Sequence, residues 1–177
     1  MKNLGVILDS HLSMEAQVNS ICRRAYFHLR SIGLIRKHLD LQTTKILVHA
    51  FVASTLDYCN SLLINLPAKL LKKLQLVQNA SARLIFRLRK NEHITSHLKE
   101  LHWLPVQLRI EFKIVTLVHQ CLHGVAPVYL SDLIIRRDTG RVTRSSQLAQ
   151  IAPILEVPPP ALASFGERSF KYAAPRL

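Results

Sequence analysis

This 177-residue sequence has few of the residues that build disulfide frameworks, zinc sites and phosphate-binding loops. Its three cysteines are an odd number without C-x-x-C spacing, which argues against a disulfide framework or a cysteine zinc site. The five glycines are isolated, so no glycine-rich phosphate loop is present, and no G-x-S-x-G motif occurs. The eleven acidic residues are scattered and offer no evident ligands for a two-metal site. The sequence therefore predicts no catalytic residue, no metal site and no cofactor.

Long hydrophobic runs are also missing. Nowhere do about 18 consecutive apolar residues occur, and the N-terminal MKNLGVILDSHLS lacks the apolar segment and cleavage site of a signal peptide. Unpaired cysteines fit a reducing compartment. We therefore expect an intracellular protein, nuclear or cytoplasmic, without a membrane partner.

The abundant features are apolar residues and positive charge. Apolar residues make up 49% of the chain, and the mean hydropathy is +0.15, which favours a folded globular protein. The 24 Lys and Arg residues against 11 Asp and Glu give a formal charge of +13. An excess of this size attracts polyanions, so nucleic acid is the leading partner class and an anionic membrane surface the second.

The apolar spacing predicts a mainly α-helical fold. One short strand is expected at residues 3–8, followed by about five or six helices. Asp40 is predicted as an N-cap, and Gly33 is predicted to end the first helix. The helices are expected at residues 13–33, 41–63, 66–90, 95–101, 105–123 and 127–134. The first of them should bury Met14, Val18, Ile21, Ala25, Leu29 and Ile32, which recur at steps of three and four.

The stretch 66–90, LPAKLLKKLQLVQNASARLIFRLRK, carries two separate stripes when it is drawn as an ideal helix. An apolar stripe contains Leu70, Leu74, Val77, Leu84, Ile85 and Leu88. A basic stripe, the predicted nucleic-acid contact, contains Lys69, Lys72, Lys73, Arg83, Arg87 and Lys90. No acidic residue occurs between Asp57 and Glu92 to pair with these charges. A solvated basic face and a membrane-surface helix are the alternatives.

Histidine is the one residue type whose spacing suggests a metal site. The pairs His93/His97 and His119/His123, the latter with Cys121 between them, are four residues apart and share a face if helical. For neither pair does a nearby acid or second cysteine complete a tetrahedral set. Structural roles are therefore the preferred interpretation.

Six segments of the chain form an ordered series of sequence motifs. They read LGVILDSHLS, FVASTLDYCNSLLINLP, LQLVQNASARLI, EHITSHLKELHWLPVQLRIEFKI, HGVAPVYLSDLI and FGERSFKYAAPRL. In order and spacing the series closely resembles the C-terminal part of reverse transcriptases from LINE-type, jockey-like non-LTR retrotransposons. The likeness covers essentially the whole chain.

The resemblance implies a thumb-like helical array. Residues 1–10 would be a remnant of the last palm strand, 11–135 a helical thumb-like domain, and 136–177 a basic, proline-containing, loop-rich tail. In the family the catalytic aspartates, which use Mg²⁺, lie upstream of the segment resembling LGVILD, so we expect no polymerase activity from this chain alone. By the same resemblance, we expect this chain to bind RNA or an RNA–DNA duplex weakly through its backbone, as a polymerase thumb holds its duplex without reading base sequence. One alternative is a helical protein-interaction module, whose apolar surface would have been covered by the missing palm and now meets another protein or a second copy of the chain. The other alternative is a retrotransposon remnant without function.

Overall fold

A computed structural model describes residues 1–137, 155–159 and 166–177. The described chain is mainly α-helical, with one two-stranded antiparallel sheet at its N-terminus, which confirms the predicted fold class. It divides into two compact units, Met1–Ile110 and Glu111–Leu177. The first unit holds every residue of the predicted basic stripe.

The strand predicted at residues 3–8 is instead a small hairpin. Strand β1 covers Lys2–Asn3 and pairs antiparallel with β2, Val6–Ile7. Between the strands, Leu4 and Gly5 have φ angles of 45° and 84°. Two positive φ angles are typical of the type I′ turn, whose twist matches that of paired strands. The chain therefore reverses where a single strand was expected.

Helix α1, Glu15–Ile35, buries one face and is held at its start by Asp9. The Asp9 carboxylate accepts hydrogen bonds from Ser13 N at 2.7 Å and from Met14 N at 3.1 Å. All six apolar residues predicted for its inner face are buried. Gly33 does not end the helix as predicted, because a helical glycine is tolerated where packing supplies the stability.

The second helical region begins where the sequence predicts. Asp40 is the N-cap of α2, Leu41–Val48, and its carboxylate accepts the N–H of Thr43 at 3.3 Å. A π-helical segment, His49–Ala53, continues directly into α3, Ser54–Asp57. The backbone thus stays helical from α2 through α3.

The predicted single helix over residues 41–63 is nevertheless interrupted. Tyr58 is extended, and Cys59 has a left-handed φ of 52°, so the chain turns before the 3-10 helix Asn60–Leu63. The Tyr58 hydroxyl donates a hydrogen bond to the carbonyl of Leu4 in the N-terminal hairpin. The contact joins residues 54 positions apart, and a local helical pattern does not report partners at that distance. The break was therefore not predicted from periodicity.

Helix α4 covers Ala68–Phe86, and α5 covers Thr95–Glu100. Helix α4 packs against α1 and α2. Its predicted apolar stripe is largely correct, since Leu70, Leu74, Val77 and Ile85 are buried. The helix is four residues shorter at its C-terminal end than the predicted 66–90, and this difference changes the geometry of the basic stripe.

Two side-chain amides hold the chain between α5 and α6 against α4. Gln78 is fully buried, and its Nε2 donates to the carbonyl oxygen of Leu104 at 2.8 Å. The Oε1 atom of Gln75 accepts the backbone N–H of Val106 at 2.9 Å. Both amides thereby satisfy part-buried backbone groups.

Helix α6 covers Val106–Leu122, close to the predicted 105–123. Gly124, with φ of 70°, follows it, and α7 covers Val128–Ser131. The buried side chains described in the second unit include Ile114, Val118, Cys121 and Tyr172.

Much of the predicted tail lies outside the described residues, namely 138–154 and 160–165. Its described end consists of short helical turns where a loop was expected. These are the 3-10 helices Gly166–Arg168 and Ala174–Arg176 and, between them, α8, Phe170–Ala173.

Candidate nucleic-acid interface

The first two lysines of the predicted basic stripe lie on the exposed face of α4. Lys69 and Lys72 are both exposed, and neither makes an ion pair with a described residue. Long lysine side chains in this position keep the ammonium group in water. These two residues have the exposure that the predicted contact requires.

Lys73 has a different environment. Its Nζ donates to Asn19 Oδ1 at 2.9 Å and lies 3.8 Å from a carboxylate oxygen of Glu15. Both partners belong to α1, so Lys73 links the two helices. The pair is partly exposed and contributes little to stability, but it offsets part of the charge that the stripe was expected to present.

The structure corrects the position of Arg87 and Lys90. Helix α4 ends at Phe86, and Arg87 is left-handed with a φ of 54°. The N–H of Leu88 then donates to the carbonyl of Arg83 at 3.0 Å and closes the helix end. The basic stripe therefore follows the face of a helix only as far as Arg83.

Two arginines brace this helix end reciprocally. The Arg36 guanidinium donates to the carbonyl oxygens of Leu84 at 3.0 Å, Ile85 at 2.7 Å and Leu39 at 2.8 Å. In return, Arg87 Nη2 donates to the carbonyl of Arg36 at 3.0 Å. The last turn of a helix leaves carbonyls without intrahelical partners, and Arg36 supplies partners for two of them. No pattern in the sequence marks Arg36 for this role.

Arg83, also predicted in the stripe, is only partly exposed. Its Nε atom is buried and has no hydrogen-bond partner among the described residues. A buried guanidinium N–H without a partner loses hydration that nothing replaces. The described part of the fold therefore leaves the Nε–H of Arg83 unsatisfied.

Arg30, Arg36, Arg83 and Arg87 line one groove between α1 and the end of α4, which we call the arginine groove. Its volume is about 680 Å³, and no acidic residue lines it. Tyr26 and apolar side chains complete the wall. The sequence prediction included Arg83 and Arg87 but missed Arg30 and Arg36, because these two lie on the preceding helical segment.

The electrostatics of the arginine groove favour an anion. Burial, and next the positive charge of Arg87, lower the pKa of Arg36, while Asp40 acts in the opposite direction. None of the four groove arginines makes an ion pair with a described carboxylate. Positive charges that outnumber the nearby carboxylates raise the local potential, and a bound anion would lower it.

The two histidine pairs have structural contacts. His97, on α5, packs against the ring of Phe86 with centroids 4.6 Å apart, while His93 is exposed before α5 begins. The rings of His119 and His123 stack 4.0 Å apart. Within residues 1–137, 155–159 and 166–177, no three His, Cys, Asp or Glu side chains gather as potential metal ligands.

Comparisons of the chain with protein-family models, curated proteins and solved structures returned no match. Among the described helices, none combines the length and apolar character needed to cross a membrane.

Proposed function

We propose that this chain is a thumb-like fragment of a non-LTR retrotransposon reverse transcriptase that binds the backbone of RNA or an RNA–DNA duplex without reading base sequence. The family assignment rests on the six motifs of the sequence. The same resemblance leads us to propose that the chain alone does not polymerise nucleotides, with or without a divalent metal.

One observation carries the binding proposal: the packed helices α1 and α4 are almost free of acidic residues. Glu15 is the only acid in either helix. Seven basic residues occur on the same two helices, namely Arg23, Arg24, Arg30, Lys69, Lys72, Lys73 and Arg83. Across Met1–Ile110 as a whole, 16 Lys and Arg residues stand against six Asp and Glu. This imbalance supports contact with a polyanion over a merely solvated surface.

The dimensions also suit a backbone. A helix of 19 residues such as α4 is about 28 Å long, whereas phosphates along one strand recur every 3.4 Å of duplex axis. The exposed lysines at the start of α4 and the arginine groove at its end can therefore contact separated phosphates. Contacts of this type position a duplex but carry no base information.

The test is fluorescence anisotropy with a labelled RNA–DNA hybrid at several salt concentrations. Each phosphate contact adds about 0.9 to the slope of log K against log salt on B-DNA, and less on other nucleic acids. Lys69→Gln/Lys72→Gln should reduce the slope by up to about 2. The matched control Lys2→Gln/Lys99→Gln removes the same charge from exposed residues outside α1 and α4.

Two results would contradict the binding proposal. One is a wild-type slope near zero, and the other is an equal loss of slope in the control variant.

Hybrids of unrelated sequence should bind equally, and a strong preference for one sequence would refute backbone recognition. Metal-dependent nucleotide incorporation by the purified chain would overturn the absence of polymerase activity.

An aromatic surface favours a second candidate function, protein interaction. Phe27 is 67% exposed and Phe51 is 47% exposed, and the ring of His28 lies within 5.5 Å of both ring centroids. Clustered exposed apolar side chains are typical of interaction sites. Size-exclusion chromatography with light scattering tests self-association. A monomer that binds neither hydrophobic dye nor nucleic acid would instead favour a non-functional remnant.

A further inference from the structure

We propose that the arginine groove binds a single nucleotide unit of the bound nucleic-acid strand, with its phosphate held by Arg30, Arg83 and Arg87. This inference deepens the proposed function, because it rests on that function for the source of the nucleotide. The groove itself requires only a phosphate beside a planar base, whether these belong to a free nucleotide or to a nucleic-acid strand.

The hydrogen-bonding capacity of the groove shows which arginines are available. A guanidinium has five N–H donors. Arg36 uses three of its nitrogens on backbone carbonyls and is largely occupied by its structural role. Arg87 makes one such bond, whereas the Nη groups of Arg83 and the exposed side chain of Arg30 make no hydrogen bond to a described residue. A phosphate would therefore find free donors on three side chains.

The rest of the groove suits a base or sugar. Its volume of about 680 Å³ lies within the range of small-ligand pockets, roughly 300–1,000 Å³. Leu29, Leu84 and Leu88 supply apolar surface. A tyrosine phenol is already neutral at neutral pH, and burial raises the pKa of Tyr26 further, so this side chain does not repel phosphate. An aromatic ring beside a basic groove is the arrangement that stacks bases of single strands, so the groove suits an unpaired nucleotide of the strand.

The arginines proposed to hold the phosphate can be substituted without loss of the fold. Removing Arg30 or Arg83 breaks no hydrogen bond between described residues. Arg87→Gly removes the guanidinium and its hydrogen bond to the carbonyl of Arg36, but it places glycine at a φ of 54°, where a side chain is strained, and this offsets part of the loss. Lys2 and Lys99 are exposed, lie outside α1 and α4 and do not line the groove, so they provide a control in which the same number of charges is removed.

The experiment follows the arginine Nε–H NMR signals of the labelled full chain during titration with adenosine 5′-monophosphate. Adenosine is the probe without phosphate. We expect saturable shifts with the monophosphate and binding at least about tenfold weaker with adenosine. Arg30→Gln/Arg83→Gln and Arg87→Gly should each weaken monophosphate binding about tenfold or more. Lys2→Gln/Lys99→Gln should remain within about twofold of wild type.

Failure of this site and failure of the proposed function give different results. The site is overturned if the monophosphate produces no saturable shift, or if Lys2→Gln/Lys99→Gln weakens binding as much as Arg30→Gln/Arg83→Gln does. If the monophosphate binds but no hybrid does, the nucleotide site stands and the duplex proposal falls. A hybrid with a single-stranded overhang supplies unpaired nucleotides, and if it binds it should displace the monophosphate. A hybrid that binds and leaves the monophosphate in place overturns the assignment of the groove to the strand.

Discussion

The bracing of α4 by Arg36 gives a prediction whose size follows from the contacts. Arg36→Met keeps most of the aliphatic stem and removes three hydrogen bonds to carbonyls, two of them in the last turn of α4. Hydrogen bonds that involve a charged group contribute about 1.5–3 kcal/mol each. The cost of burying the guanidinium, seen in its lowered pKa, offsets part of this sum. We therefore expect Arg36→Met to lower the free energy of unfolding by about 2–4 kcal/mol.

Urea unfolding followed by circular dichroism measures this loss. Arg36→Lys keeps the charge but cannot reproduce the planar fork, so it should lose most of the same stability. The control Arg24→Met, at an exposed residue of α1, should change the free energy by less than about 0.5 kcal/mol. In hydrogen exchange, the amides at the end of α4 should exchange faster in Arg36→Met than in wild type. A stability of Arg36→Met within about 0.5 kcal/mol of wild type would refute the bracing role.

Three further predictions concern the core, acid stability and a thiol. Leu74→Ala, at a residue 1% exposed, should cost about 2–5 kcal/mol in urea unfolding, whereas Leu76→Ala, 49% exposed on the same helix, should cost less than about 1 kcal/mol. Hydrogen bonds from Ser13 lower the pKa of Asp9 in the folded protein. The stabilisation by the ionised carboxylate is therefore complete above the unfolded pKa of about 3.9 and is lost as the pH falls through the lower folded pKa. Asp9→Asn should therefore lose less stability than wild type on acidification below about pH 4, and equal losses would contradict this. Burial raises the pKa of Cys22, so iodoacetamide should alkylate it more slowly at pH 8 than free cysteine.

Sequence periodicity predicts the helical fold well where one face of a helix meets the core. The first helix shows this, because all six of its predicted inner residues are buried. The sequence predicts local capping equally well, since Asp40 is the N-cap of α2 as its position indicates. Both signals depend on residues within a few positions of one another, which is the range over which a sequence pattern reports directly.

The features that the sequence did not predict depend on distant contacts. The end of α4 at Phe86 involves Arg36, which is 49 residues away from Ile85 in the chain. The break after α3 coincides with a hydrogen bond from Tyr58 to Leu4, 54 residues away. The hairpin turn at Leu4 and Gly5 lacks the Asn-Gly pair that usually marks a type I′ turn. Periodicity contains no information about such partners.

The basic stripe shows why charge alone is a poor guide to a binding site. On an ideal helix, Lys73, Arg83 and Arg87 are equivalent positive charges, but in the structure they differ in their free donors. Lys73 contacts α1 residues, Arg87 donates to a carbonyl, and Arg83 keeps an unsatisfied Nε. The capacity to bind phosphate depends on donors that the fold has not already used. Only the packing of α1 against α4 distinguishes these cases.

Structural and binding roles therefore meet in one cluster of arginines, and affinity measurements alone would confuse them. Loss of Arg36 should release the end of α4, displace Arg83 and Arg87, and weaken binding through the fold. Loss of Arg30 or Arg83 should weaken binding while stability is kept, because neither side chain makes a described hydrogen bond. Unfolding free energy and affinity measured on the same variants separate the two roles. If Arg36→Met and Arg30→Gln/Arg83→Gln lost stability and affinity in the same proportion, the groove would be a structural element only, and the exposed lysines of α4 would have to account for any nucleic-acid binding.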